Sequence, residues 1–146
     1  MPLPHFNNAG DLPLGVHQAS LDEVIERFGS HTPRRREVAA RLLRIFTLAR
    51  ATGKLDSMVI FGSFITAKLA PNDVDILLVM RDDFNWNTCA GEERMPFHHS
   101  QAAAEFGASV FWIRPSMLIL ETLDEFVSHW QIKRGGARRG IVEVKA

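Results

Sequence analysis

The apolar positions of this chain follow two periods, one typical of helices and one typical of strands. Residues 20–23 carry a capping-box pattern, and apolar residues then recur at helical spacing. Thr32 and Pro33 suit the first positions of a second helix, for which we predict the range 33–52. A third amphipathic stretch predicts a helix over 116–130.

Continuous apolar runs predict the strands of the fold. The runs at 58–61, 76–80 and 108–113 indicate three strands, and 141–144 indicates a short final one. The polar stretch 81–100 is typical of a long loop. The pattern as a whole predicts an α/β fold, in which a small mixed sheet is flanked by helices.

Length and composition indicate one domain. The 146 residues are 46% hydrophobic and 23% charged, as in ordinary globular proteins. Prolines and glycines predict an irregular N-terminal arm over 1–19, followed by a single domain over 20–146. Seventeen basic and seventeen acidic residues cancel, and no apolar run approaches the ~20 residues of a membrane span, so we expect no membrane partner. The single cysteine, Cys89, forms no internal disulfide, which fits a reducing cytoplasm.

The most informative stretch is 58–80, in which a Gly-Ser turn and two acids lie between two apolar runs. Asp73 and Asp75 are two residues apart, which on a strand predicts one shared face with α-carbons about 6.6 Å apart. Two such carboxylates suit divalent cations. Gly62 permits a close backbone approach to a ligand, and Ser63 offers a hydroxyl and an N–H to a phosphate oxygen.

This order of strand, Gly-Ser, nine residues and Asp-x-Asp before a second strand resembles the polymerase-beta-like nucleotidyltransferase superfamily. The resemblance implies that Gly62 and Ser63 hold a nucleoside triphosphate, while Asp73 and Asp75 bind Mg²⁺ (or Mn²⁺) and are catalytic. It implies a nucleotidyltransferase core with its motifs over 58–113. The chain also resembles small, uncharacterised prokaryotic nucleotidyltransferase-like proteins, in the segments 12–23, 62–68 and 140–144.

The activity that this resemblance implies is magnesium-dependent transfer of a nucleoside monophosphate from a nucleoside triphosphate to a hydroxyl, on a partner protein or RNA. Thr66 and Lys68 are further candidates for phosphate contact. Active members of the superfamily carry a third acid on a neighbouring strand, and the corresponding run 108–113 has none. Ser109 stands where we expect that acid. The alternative is therefore a catalytically impaired, antitoxin-like or regulatory binding protein with the same fold.

Two basic clusters remain outside these motifs. The arginines at 34–36 open a helix, where their charge opposes the helix dipole. We favour a solvated face over a phosphate-contacting patch, because charge runs are commonly exposed. The tail from Lys133 to Lys145 is also basic, which is consistent with phosphate contact or with an exposed edge strand. Nucleic-acid binding through both clusters is a third hypothesis.

Overall fold

A five-stranded mixed sheet forms the centre of the computed structural model, which describes residues 3–133 and 135–146. The strands are β1 (Val16–Gln18), β2 (Leu55–Phe61), β3 (Asp75–Met80), β4 (Ser109–Ile113) and β5 (Ile141–Lys145). They lie in the order β1-β5-β2-β3-β4. β2 is antiparallel to both of its neighbours, whereas β3 with β4 and β1 with β5 are parallel pairs. The predicted α/β class with a mixed sheet is confirmed.

In the described residues, four α-helices and several short 3₁₀ turns accompany the sheet. The helices are α1 (Leu21–Phe28), α2 (Pro33–Ala51), α3 (His99–Phe106) and α4 (Leu123–His129). The predicted caps of the first two helices are confirmed, because the side chains of Ser20 and Thr32 accept backbone hydrogen bonds at their N-termini. The 3₁₀ turns are Ser63–Ile65, Trp86–Thr88, Gly91–Phe97 and Pro115–Met117, so the predicted loop 81–100 contains local structure. Among the described residues, no helix is both long enough and apolar enough to span a membrane.

β3 is buried on both faces, which explains its uninterrupted apolar sequence. All five residues from 76 to 80 are at most 1% exposed. Leu42, Ile45 and Ala49 of α2 are also fully buried in the same core. Because the strand leaves this core only at its first residue, its polar end lies at the rim of the sheet. Asp75 is that residue.

The predicted helix over 116–130 is wrong over its first half. Residues 115–117 form a 3₁₀ turn, and α4 begins only after Thr122. Thr122 and Glu125 form a reciprocal capping box that fixes this start, with hydrogen bonds of 3.1 and 3.2 Å. The backbone N–H and the hydroxyl of Thr122 lower the pKa of the Glu125 carboxyl. Ile119 and Leu120, which lie within the predicted range, are almost fully exposed.

The two ends of the chain also differ from the prediction. Residues 16–18 of the supposedly irregular arm form β1, which pairs in parallel with β5. β5 therefore lies between β1 and β2 and is not an edge strand. A three-residue strand is too short to show an alternating pattern, so the sequence carried no clear signal for it.

The arginine cluster divides into residues with different environments. Arg34 and Arg36 are exposed, as predicted for a solvated face, but Arg35 is only 6% exposed, so the prediction is wrong for it. Burial lowers the pKa of the Arg35 guanidinium. This burial also removes the middle arginine from any nucleic-acid surface.

The Arg35 guanidinium donates hydrogen bonds to four backbone carbonyls. Its Nη1 donates to Phe28 at 3.0 Å and to Phe64 at 2.7 Å, and its Nη2 donates to Thr66 at 2.7 Å and to Lys68 at 2.5 Å. Three of these acceptors belong to the chain between β2 and β3. The side chain therefore fixes that connection to the start of α2.

We predict that Arg35→Ala lowers the free energy of unfolding by about 3 kcal/mol or more, because buried carbonyls lose a charged donor. Arg34→Ala and Arg36→Ala are matched controls and are expected to change it by less than about 0.5 kcal/mol. Urea unfolding of the three variants measures the difference. Equal stability of all three would contradict the assigned role of Arg35.

Candidate functional site

A pocket of about 690 Å³ opens where β3 and β4 begin, and two acids line it. Asp75 is the first residue of β3, whereas Asp73 lies just before the strand. Both acids are half-buried, and Val74 between them is 1% exposed. Val74 thus packs into the core, and both acids border the pocket. The structure brings the predicted pair together although only one of them is in the strand.

Gly62 lines the same pocket and is in contact with Asp75. Its φ of 84° and ψ of −168° belong to a region that is essentially restricted to glycine. A Cβ at this position would overlap the Asp75 carboxylate. Glycine is therefore required twice, once by the backbone and once by the space that the acid occupies.

Ser109 also lines the pocket and lies directly beside Asp75 in the parallel pairing of β3 with β4. This confirms the prediction that the strand over 108–113 neighbours the acids. Val110, the next residue, is buried, so the face that carries Ser109 borders the pocket. In the part of the chain that the structure describes, no group of three or more His, Cys, Asp or Glu side chains is arranged to hold a metal. The candidate site is thus a two-carboxylate site.

Acids from the 81–100 segment are engaged elsewhere. Asp83 pairs with Lys54 at 2.6 Å, and Glu92 pairs with Arg44 at 3.3 Å. Lys54 and Arg81 lower the pKa of the Asp83 carboxyl, with the Lys54 hydrogen bond as the main cause. Among the described residues that line the pocket, the carboxylates are those of Asp73 and Asp75.

Cations from the C-terminal part of the chain line the pocket as well. Lys133 and Arg139 belong to its wall, and both pair with the buried carboxylate of Asp11, at 3.0 and 3.6 Å. Lys133 and Arg139 lie at the two ends of a turn that a bridge between Ile132 and Arg138 closes. Asp11 thus ties the N-terminal arm to this basic turn and fixes two cations beside the acids.

Sequence reasoning noted the basic tail but did not assign these two cations to the site. It missed Asp11 altogether, because an acid among turn residues gives no signal of burial or of distant partners. Arg134, which belongs to the same basic tail, lies outside the described residues.

His129 is a further pocket residue that sequence reasoning missed. It lies in the last turn of α4, and its Nδ1 is 3.2 Å from Oε2 of Glu121. The predicted helix over 116–130 included Glu121, whereas in the structure Glu121 precedes α4 and pairs with His129 in its last turn. The sequence prediction therefore gave no sign of this pair. This arrangement orients the imidazole at the pocket wall.

The remaining predicted residues lie outside this pocket. Ser63 follows Gly62 and begins the 3₁₀ turn, where its carbonyl accepts a hydrogen bond from the Thr66 hydroxyl at 2.7 Å. Thr66 and Lys68 line a separate, smaller pocket of about 280 Å³, together with Arg35. The structure therefore gathers Gly62 and the two acids but separates Thr66 and Lys68 from them.

A family model matches residues 4–145, which is nearly the whole chain. It describes a family of unknown function, DUF6932. The chain belongs to DUF6932. The region that places it in DUF6932 includes the N-terminal arm with Asp11 and every pocket residue described above. No curated protein and no solved structure matches the chain.

We predict that Gly62→Ala costs more stability than Gly53→Ala. Both glycines have positive φ, so both variants bear backbone strain of about 1–3 kcal/mol. Only at Gly62 does the new Cβ meet another group, since nothing lies within 4 Å of the position at Gly53. Thermal or urea unfolding measures both variants. Equal losses would show that the approach of Asp75 to Gly62 places no demand on the residue.

Proposed function

We propose that this chain binds a magnesium–nucleoside triphosphate in the pocket and transfers a nucleoside monophosphate to a hydroxyl acceptor. The observation that carries the proposal is that one pocket is lined by both acids, Asp73 and Asp75, and by two cations, Lys133 and Arg139. A metal-bound triphosphate needs both kinds of group, carboxylates for the metal and cations for the phosphates.

The two acids fit one Mg²⁺ ion, or Mn²⁺ in its place. Mg²⁺ is usually held by one or two carboxylates, with substrate phosphates and water completing its octahedron. Asp73 and Asp75 would hold the ion, and the ion would neutralise charge on the phosphates. Gly62 lines the pocket, and its lack of a side chain would let a phosphate approach the backbone there.

In the proposed reaction, the acceptor oxygen attacks the α-phosphorus while the bond from that phosphorus to the α,β-bridging oxygen breaks. Pyrophosphate leaves, and the hydroxyl proton passes to water or to a base in the pocket. Lys133 and Arg139 would offset the charge of the departing pyrophosphate. Most of the catalysis would come from positioning and charge neutralisation, for which this small set of residues is sufficient.

A second candidate is a binding protein with impaired catalysis, of an antitoxin-like or regulatory kind. The observation that favours it is Ser109, which lies beside Asp75 in the register where a third carboxylate is expected. Two acids suffice to bind one metal–nucleotide complex, but two-metal catalysis would be weakened. The acceptor, on a partner protein or RNA, would then be bound without efficient transfer.

We predict that Asp75→Asn weakens magnesium-dependent binding of nucleoside triphosphates by more than about tenfold, since a metal ligand loses its charge. Asp56→Asn is the matched control, because Asp56 is an exposed acid on β2 that does not line the pocket. Calorimetry with each of the four common ribonucleoside triphosphates, with Mg²⁺ and with EDTA, measures the effect. Equal affinities in wild type, Asp75→Asn and Asp56→Asn would contradict the assigned site.

A second prediction separates the two candidate functions. Ser109→Asp adds a third carboxylate beside Asp75, which repels the first two until a cation binds. We expect lower stability without metal, tighter Mg²⁺ or Mn²⁺ binding and faster nucleotide transfer. Ser109→Asn, which has a similar volume without charge, is the control. If metal affinity rises but transfer does not, the binding-protein alternative is favoured; if none of the three quantities changes, Ser109 lies away from the metal.

A further inference from the structure

Aromatic rings form part of the pocket wall beside the acids. Phe61, Phe111 and Trp130 all line the pocket. The ring centroids of Phe61 and Trp130 are 4.7 Å apart, and those of Phe111 and Trp130 are 5.2 Å apart. The three side chains therefore form one cluster, contributed by β2, β4 and the end of α4.

The strand register places this cluster next to the acids. Phe61, Asp75 and Ser109 form one row across β2, β3 and β4. Phe111 belongs to the next row on the same face, about 6.6 Å further along its strand. A ligand held at Asp75 would thus reach Phe111 by extending one row along the sheet.

Exposure distinguishes Phe111 from its neighbours in that second row. Val59 and Leu77, which pair across the sheet in the same row, are at most 1% exposed, whereas Phe111 is 40% exposed. The face is therefore closed by packing at its centre and open at Phe111. Ordinary core packing accounts for the first two residues. Phe111 lies on the edge strand β4 with the His99 ring 5.1 Å away, and it lines the pocket with part of its ring still exposed.

We propose that this pocket takes an aromatic base, stacked on Phe111 and Trp130, while the phosphates of the same ligand lie at the acid row. The inference rests on the proposed function for the placement of the phosphates and extends it to the rest of the ligand. A base presents a planar π-face, and stacking on a protein aromatic ring tolerates every base. The cluster therefore adds affinity for nucleotides over bare polyphosphate without strong selection among bases.

The test compares Mg-ATP with Mg-tripolyphosphate, which lacks the base and the ribose, by calorimetry. We expect wild type to bind ATP at least about fivefold more tightly than tripolyphosphate, the lower end of one stacking contact. Phe111→Leu is expected to lose most of this preference while its affinity for tripolyphosphate stays unchanged. Phe111→Trp, which retains a stacking surface, is expected to keep the preference.

Phe6→Leu is the matched control, because Phe6 packs on Arg27 and Phe28 beside the smaller second pocket. It is expected to behave as wild type with both ligands. Trp130→Leu makes the same comparison from the other ring if Phe111→Leu does not fold. A preference for ATP that survives both Phe111→Leu and Trp130→Leu, or no preference in wild type, would overturn the stacking proposal while leaving the triphosphate site intact.

Adenosine separates failure of the two proposals. If wild type binds neither ATP nor tripolyphosphate, the proposed function fails. In that case, adenosine binding that is lost in Phe111→Leu would still support the stacking surface, and absence of adenosine binding would overturn it as well.

Discussion

Four backbone carbonyls converge on the guanidinium of Arg35, and three of them belong to the connection that runs from Gly62 to the two acids. The connection from β2 to β3 leaves the sheet, makes one 3₁₀ turn and returns, so its carbonyls lie outside the strand ladder. Buried carbonyls without donors would each cost about 1–3 kcal/mol. A single planar side chain with several donors satisfies three of them and attaches the connection to α2.

The approach of Gly62 to Asp75 follows from the pairing of β2 with β3. Phe61, the last residue of β2, pairs with Asp75, the first residue of β3. The next residue, Gly62, therefore leaves the strand directly beside the Asp75 carboxylate. Only a residue without a side chain leaves room there. Asp75 is thereby held at the rim of the sheet, with Asp73 just outside the strand and Ser109 beside it on β4. Gly62 and Asp75 thus both determine the local backbone and line the candidate site.

The sequence predicted those parts of the fold and site that depend on short segments. Apolar runs were sufficient for β2, β3 and β4, and the spacing of Gly62, Asp73 and Asp75 was sufficient to suggest one site. It did not predict partners that are distant in sequence. The pairing of Asp11 with Lys133 and Arg139 joins the two ends of the chain, and neither period nor motif encodes such a contact.

The other errors have equally specific causes. Arg35 was assigned to a solvated face because charge runs are commonly exposed. Its burial was missed because its partners are backbone carbonyls, which no side-chain pattern reveals. The start of α4 was misplaced because apolar residues continue on the N-terminal side of Thr122. The capping box of Thr122 and Glu125, which marks the true start, was not used. Thr66 and Lys68, the further candidates for phosphate contact, line a different pocket from the two acids, which their closeness in sequence to Gly62 does not reveal.

Anomalous diffraction from crystals soaked with Mn²⁺ and a non-hydrolysable nucleoside triphosphate tests the central claim most directly. The account predicts a manganese peak between the carboxylates of Asp73 and Asp75, with the phosphates beside Lys133 and Arg139. A nucleotide bound in another pocket, or manganese bound away from both acids, would contradict it.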